Sequence, residues 1–231
     1  MDRSRMLPPP AAAVPQLETQ RSIEDYIGRA PLRLGIMCTI GPLRFMPFLA
    51  RLRMDYPGLR LSIAEGTPAR LGAMLDGGAL DLAVLAQPEP FAPRWQVAPL
   101  YRERFVVALP PGHRLGAQRA VRLHDLHKQD YVSRASCEFA PYIDTLLAEA
   151  GVALNVVFES EREEWVQTLI AAGVGIACMP EHSPLLPGLS LRPMIEPEVV
   201  REIALVSPAA RPLPPAAATF AKAIKAYDWT L

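Results

Sequence analysis

Two short junctions, Thr39-Ile40-Gly41-Pro42 and Glu65-Gly66-Thr67-Pro68, carry the residues best suited to hold a small ligand. Each offers a threonine hydroxyl beside backbone amides at the expected start of a helix. Free N–H groups and the helix dipole there favour an anion such as a carboxylate. Pro42 and Pro68 each remove one amide, which weakens such a site without abolishing it. Thr67 is equally suited to cap its own helix, and an N-cap hydroxyl can serve both purposes. A third loop, Ser133-Arg134-Ala135-Ser136-Cys137, joins an expected strand to an expected helix. Arg134 there brings a guanidinium for an anionic ligand, although arginines in such loops are more often solvated. Cys137 lies near a helix start, the setting that lowers a thiol pKa.

Other chemistry finds little footing. The cysteines, Cys38, Cys137 and Cys178, are odd in number and widely spaced, against a disulfide framework or a zinc site. Cys38 and Cys178 fall in apolar segments and read as small core residues. The histidines, His113, His124, His127 and His182, fall in turns or polar stretches, and the His124/His127 pair has no third ligand near it. There is no glycine-rich phosphate loop and no nucleophile elbow. No catalytic residue, metal or cofactor is therefore expected. A thiol enzyme built on Cys137 would need a base or a resolving thiol beside it, and none is evident.

The elements that must position these residues alternate between strand and helix from Leu32 onward. LRLGIMCTI predicts a buried strand and PLRFMPFLARLRMDYPG an amphipathic helix, with Phe45, Met46, Leu49 and Leu52 on one face. LRLSIAEG is a second strand, PARLGAMLDGG a helix closed by Gly77-Gly78, and LDLAVLA a third strand, apolar on both faces. This β-α-β-α-β run predicts a parallel sheet with right-handed crossovers. WQVAPLYRERFVVALPPGH carries the chain out of that lobe. YVSRAS, ALNVVFES and GIACMP are expected strands, and EFAPYIDTLLAEAG an expected helix. Ser160 and Glu163 are expected to form a capping box for the helix containing Trp165, Leu169 and Ile170. REIALVS then reads as a strand and PPAAATFAKAIKAY as a terminal helix. The expected class is α/β, with two lobes facing a cleft, each a mixed, mainly parallel sheet flanked by helices. Residues 1–30 form a separate arm, Pro/Ala-rich and then helical over LETQRSIEDYIG.

Composition bounds the partners. Half of the 231 residues are hydrophobic and 21% are charged, as in a globular protein. The 24 Lys and Arg match 24 Asp and Glu, so the bulk positive field of a nucleic-acid binder is missing. The start, MDRSRMLPPPAAAVPQ, has no apolar stretch suited to a signal peptide, and no run suits a membrane span. A cytoplasmic protein is expected. A solute-binding protein that feeds a transporter would need a secretory signal or an anchoring cysteine near residue 1.

Three segments in order carry a specific resemblance. These are LRLGIMCTIGP…MPFLARLRMDYPGLRLSIAEGTPARLGAMLDGGALDLAVLA, PLYRERFVVALPPGHRL and EREEWVQTLIAAGVGIACMPE. From Leu32 to about Val206 the chain resembles the effector-binding domain of LysR-type bacterial transcription regulators. That likeness implies a two-lobed fold of the periplasmic-binding-protein type II kind, with lobe I at 31–104 and 200–231 and lobe II at 105–199. It also implies a small effector between the lobes and a homodimer or tetramer formed through these domains. Residues matching the family's effector contacts are Thr39, Thr67, and Cys137 with Phe139. The position of Cys137 is similar to that of the oxidised cysteine in the peroxide-sensing branch, so Cys137 is also the candidate redox residue. The resolving cysteine of that branch has no counterpart in Ile143-Asp144-Thr145-Leu146-Leu147. DNA contact is expected only through a helix-turn-helix domain outside these residues. The expected effector-binding set is Thr39, Ile40, Gly41, Thr67, Ser133, Arg134, Ser136, Cys137 and Phe139.

Overall fold

The computed structural model describes residues 31–135 and 137–230; the expected arm and helix of residues 1–30, and Ser136, lie outside them. β1 (Leu32–Met37) pairs in parallel with β2 (Leu61–Gly66) on one side and β3 (Leu82–Leu85) on the other. The crossovers are α1 (Pro42–Asp55) and α2 (Pro68–Asp76). All four residues of β3 are buried, as its run without alternation requires of a central strand.

The inward face of α1 differs from the one its spacing suggests. Phe45, Phe48 and Leu52 are buried, while Met46 is 46% exposed and Leu49 only partly covered. The i, i+3, i+7 stripe is narrower than expected because α5 (Pro215–Ala226) and the chain end lie against it. Phe48 sits edge-on to Phe220 and Tyr227, with ring centroids 5.5 and 5.3 Å away.

One long strand runs from lobe to lobe, and the returning chain pairs with its first part. β4 (Trp95–Leu109) pairs antiparallel with β10 (Val200–Pro208) over Trp95–Arg104. From Phe105 onward β4 pairs instead with β8 (Ala177–Pro180) and β9 (Ser190–Ile195). Between those stretches the chain forms β5 (Val121–Arg122), β6 (Asp130–Arg134), α3 (Ala140–Glu149), β7 (Asn155–Ser160) and α4 (Glu163–Ala171). β6 and β7 are parallel, as are β5 and β9, so each lobe mixes parallel and antiparallel pairs.

Two local expectations are corrected. The stretch between GIACMP and REIALVS, where the sequence marks no element, contains β9. The Ser160/Glu163 capping box does not form: Arg162 is the N-cap, and Glu163 is therefore the first helical residue rather than the third. The Ser160 hydroxyl instead accepts from the Arg162 amide at 3.1 Å, and Glu163 is taken by Arg134 and Gln167. No helix among the described residues is long and apolar enough to cross a membrane.

Candidate functional site

The two lobes meet at Thr39, in the turn that follows β1. Its Oγ1 accepts from Arg201 Nη1 at 2.7 Å and donates to the Glu138 carboxylate, with oxygens at 3.1 and 3.0 Å. Its carbonyl accepts from Arg201 Nη2 at 2.8 Å and from Ser183 Oγ at 2.9 Å. Arg201 stands on β10 directly across from Glu103 on β4. Arg201 Nε and Nη2 both donate to Glu103 Oε1, at 3.0 and 2.8 Å. The remaining nitrogen, Nη1, pairs with Glu138, which arrives from the loop between β6 and α3. Side-chain exposure is 0% for Arg201, 1% for Glu103 and 5% for Glu138. Burial would lower the arginine pKa, but the charges of Glu103 and Glu138 outweigh it and hold the guanidinium above its usual value.

The closure is tight. A Cβ on Gly41 would fall 1.8 Å from the His182 carbonyl oxygen, so only glycine lets the start of α1 approach the second lobe this closely. Gln167, buried on α4, donates to the Ser183 carbonyl at 3.1 Å and accepts from the Leu185 amide at 2.8 Å. It thus fixes the loop that brings Ser183 to Thr39. What stays open is a recess of about 80 Å³ bordered by Thr39, Ile40, Gly41, Ser183 and the carboxylates of Glu65, Glu163 and Glu164. Sites for small organic ligands usually enclose about 300–1,000 Å³, whereas one water needs only about 10–15 Å³. The recess therefore has room for a few waters, and the lobes must part to admit a metabolite.

A second, smaller cavity of about 70 Å³ lies within the second lobe, and both Cys137 and Cys178 line it with Tyr131, Arg134 and Ile143. Burial, then the charge of Glu138, pushes the Cys137 thiol up to about 11. Burial pushes Cys178 to about 12. In the sequence a helix start beside Cys137 would lower its pKa and the adjacent Glu138 would raise it. The structure decides between them, because desolvation and the Glu138 charge outweigh any helix-start effect.

The sequence candidates divide between these places. Thr39, Ile40 and Gly41 line the cleft recess. Ser133, Arg134 and Cys137 line the second-lobe cavity. The Arg134 guanidinium pairs with Glu163 at 3.2 Å, and Phe139 is buried with its ring 5.3 Å from that of Phe105. Thr67 caps α2, accepting from the Arg70 amide at 3.4 Å, and does not border the recess. Sequence reasoning missed Arg201, Glu103, Glu138 and Ser183. A signal existed for two of them, since strand alternation puts Glu103 on the face of Tyr101 and Phe105, and Arg201 on the face of Ile203, where an unpaired charge is not tolerated.

Residues 28–229 match the family described as the LysR substrate binding domain. The chain belongs to that family. As a LysR substrate-binding domain it is 43% identical over 93 residues to a probable hydrogen peroxide-inducible genes activator of Mycobacterium avium, covering 40% of this chain and 30% of the relative. It is 26% identical over 189 residues to the hydrogen peroxide-inducible genes activator of Haemophilus influenzae, covering 79% of this chain and 62% of the relative. Among solved structures it resembles the reduced OxyR regulatory domain of Pseudomonas aeruginosa, with a TM-score of 0.71 and 26% identity. That match covers 84% of this chain and 97% of the other. The chain spans between 30% and 64% of the length of the first curated relatives it matches. The two-lobed α/β architecture is thus that of LysR effector domains.

Proposed function

We propose that this chain is the ligand-sensing domain of a LysR-type transcriptional regulator, and that its effector is a small anion, most simply a carboxylate, bound between the lobes. The observation that carries this reading is the buried Arg201–Thr39 pair at the point where both lobes converge. A guanidinium and a hydroxyl aimed across a cleft suit a carboxylate. An effector that parts or re-seats the lobes changes their relative position, which a DNA-binding domain elsewhere in the protein can use. The exposed apolar side chains Leu43, Met46 and Met54 on α1, and Val156, Phe158 and Trp165 on β7 and α4, supply faces for a homodimer or tetramer.

A thermal-shift screen of carboxylate metabolites tests the reading. A ligand at a hundred times its Kd raises stability by about 2.7 kcal/mol. Hits should weaken on Thr39→Val, and a bound pose outside the cleft would overturn the site.

Peroxide sensing through Cys137 is a second reading, favoured by the relatives named as peroxide-inducible activators. Mass spectrometry of Cys137 after graded peroxide treatment separates the two readings, since effector binding leaves the thiol unmodified.

A further inference from the structure

Glu103 matches the charge of Arg201 without Glu138. Both residues stand on the hinge strands in direct register, and two of the guanidinium's donors go to Glu103 Oε1. Glu138 adds a second carboxylate to a buried cluster with one cation, so it is a surplus anion there rather than the charge that neutralises Arg201. It comes from the opposite lobe, on a loop, and engages Arg201 through Nη1 alone, together with the Thr39 hydroxyl. Those two donors form a carboxylate seat. The recess beside Thr39 leads solvent to its edge.

We propose that Glu138 is a tethered ligand. Its side-chain carboxylate occupies the anion seat formed by Thr39 Oγ1 and Arg201 Nη1 and holds the lobes shut, and a free monocarboxylate enters by exchanging with it. The seat and its occupant stand on the geometry alone; only the identification of the exchanging molecule with the effector rests on the sensing reading above.

A side chain held beside its site acts at an effective concentration of mM or higher. Removing it should raise the affinity for a free carboxylate by at least about tenfold. The probe is sodium acetate, with sodium chloride at equal ionic strength as the control, followed by melting temperature. The wild type should respond alike to the two salts. Glu138→Ala should melt lower than the wild type in chloride and recover part of the loss in acetate, saturably. Glu138→Gln keeps the side chain but weakens it as a competitor, and should show a smaller acetate-specific rise. Should Glu138→Ala fail to fold, the Gln variant carries the test.

Variants that respond to acetate and chloride identically overturn the proposal, as does a wild type that gains as much from acetate as they do. The two readings fail separately. A wild type for which no effector is found, beside a Glu138→Ala variant that takes acetate, removes the sensing reading and leaves the tethered ligand. A wild type with a cleft-bound effector, beside variants indifferent to acetate, does the reverse.

Discussion

Arg201 Nη1 and Thr39 Oγ1 lie 2.7 Å apart although 162 residues separate them in the chain. That contact ties the hinge strand β10 to the first strand–helix junction, and Glu138 and Ser183 reach the same threonine from the second lobe. One side chain thus reports on both lobes and on the strands joining them.

Replacing Arg201 should therefore be severe. Arg201→Met leaves the carboxylates of Glu103 and Glu138 buried without their cation, and breaking a buried pair from one side costs about 3–5 kcal/mol. Denaturant unfolding of the purified domain measures it. The double variant Arg201→Met/Glu103→Gln should recover part of the loss, because it removes one of the stranded charges. A single variant within about 0.5 kcal/mol of wild type would show that the cluster is not buried in solution.

Gly41→Ala tests the closure. The new Cβ meets the His182 carbonyl, which is backbone and cannot rotate away. The second lobe must withdraw, so small-angle scattering should show a larger radius of gyration than wild type. Strain of this kind costs about 1–3 kcal/mol. Unchanged scattering and stability would mean that the lobes already stand apart in solution.

Much of the frame was legible from pattern, and the centre of the site was not. The alternation from Leu32 to Leu85 reads directly because central strands are continuously apolar and each helix carries its own stop, as at Gly77-Gly78. Thr39 was visible because a hydroxyl at a strand–helix junction has a local reason to matter. Arg201, Glu103 and Glu138 acquire meaning only when residues 98 and 63 positions apart meet, and no local rule encodes such pairings. Thr67 looked equivalent to Thr39 in sequence, yet among the described residues no partner from the second lobe reaches it, and its hydroxyl is spent on the α2 amide. Met46 and Phe48 exchanged places for a similar reason: the packing of α5, which lies over 160 residues downstream, decides which flank of α1 faces inward.

An acid-sensitive element lies at the starts of β1 and β3, in the first lobe. Asp81 accepts from the Arg33 amide at 2.9 Å and from its guanidinium at 2.6 and 3.2 Å. Burial alone would raise the Asp81 pKa, but the hydrogen bonds and charge of Arg33 win and hold it below the usual carboxylate range. A depressed carboxylate contributes stability that is present above its unfolded pKa, about 3.9, and is lost as pH falls through the folded value. Asp81→Asn should cost about 1–3 kcal/mol at pH 7 and less at pH 3. Unfolding curves at the two pH values check this; an equal loss at both would assign the effect to shape rather than charge.

The thiol of Cys137 offers the most discriminating measurement. With its pKa pushed up to about 11, first by burial and then by the charge of Glu138, it is almost wholly protonated at pH 7.5. Only the thiolate is nucleophilic, and a free cysteine titrates near 8.5, so Cys137 should react with iodoacetamide at least about a hundredfold more slowly than a free thiol. The same slow reaction is expected with peroxide while the lobes are shut. Because the folded state raises this pKa, its contribution to stability is intact below the unfolded thiol value. It fades as pH rises through about 11, so the domain should lose stability between roughly pH 9 and 11. Glu138→Gln removes the second cause of the shift and should accelerate alkylation of Cys137. General loosening of the fold would also do that, and Cys178 separates the two. Its pKa, about 12, comes from burial and the neighbouring Cys137, against a lowering hydrogen bond with Tyr131, and without Glu138. Site-resolved mass spectrometry of the Gln variant should therefore show Cys137 labelled faster and Cys178 unchanged. Equal acceleration at both cysteines would mean that the Gln variant loosens the fold as a whole, and no acceleration at Cys137 would mean that the Glu138 carboxylate does not lie beside the thiol in solution.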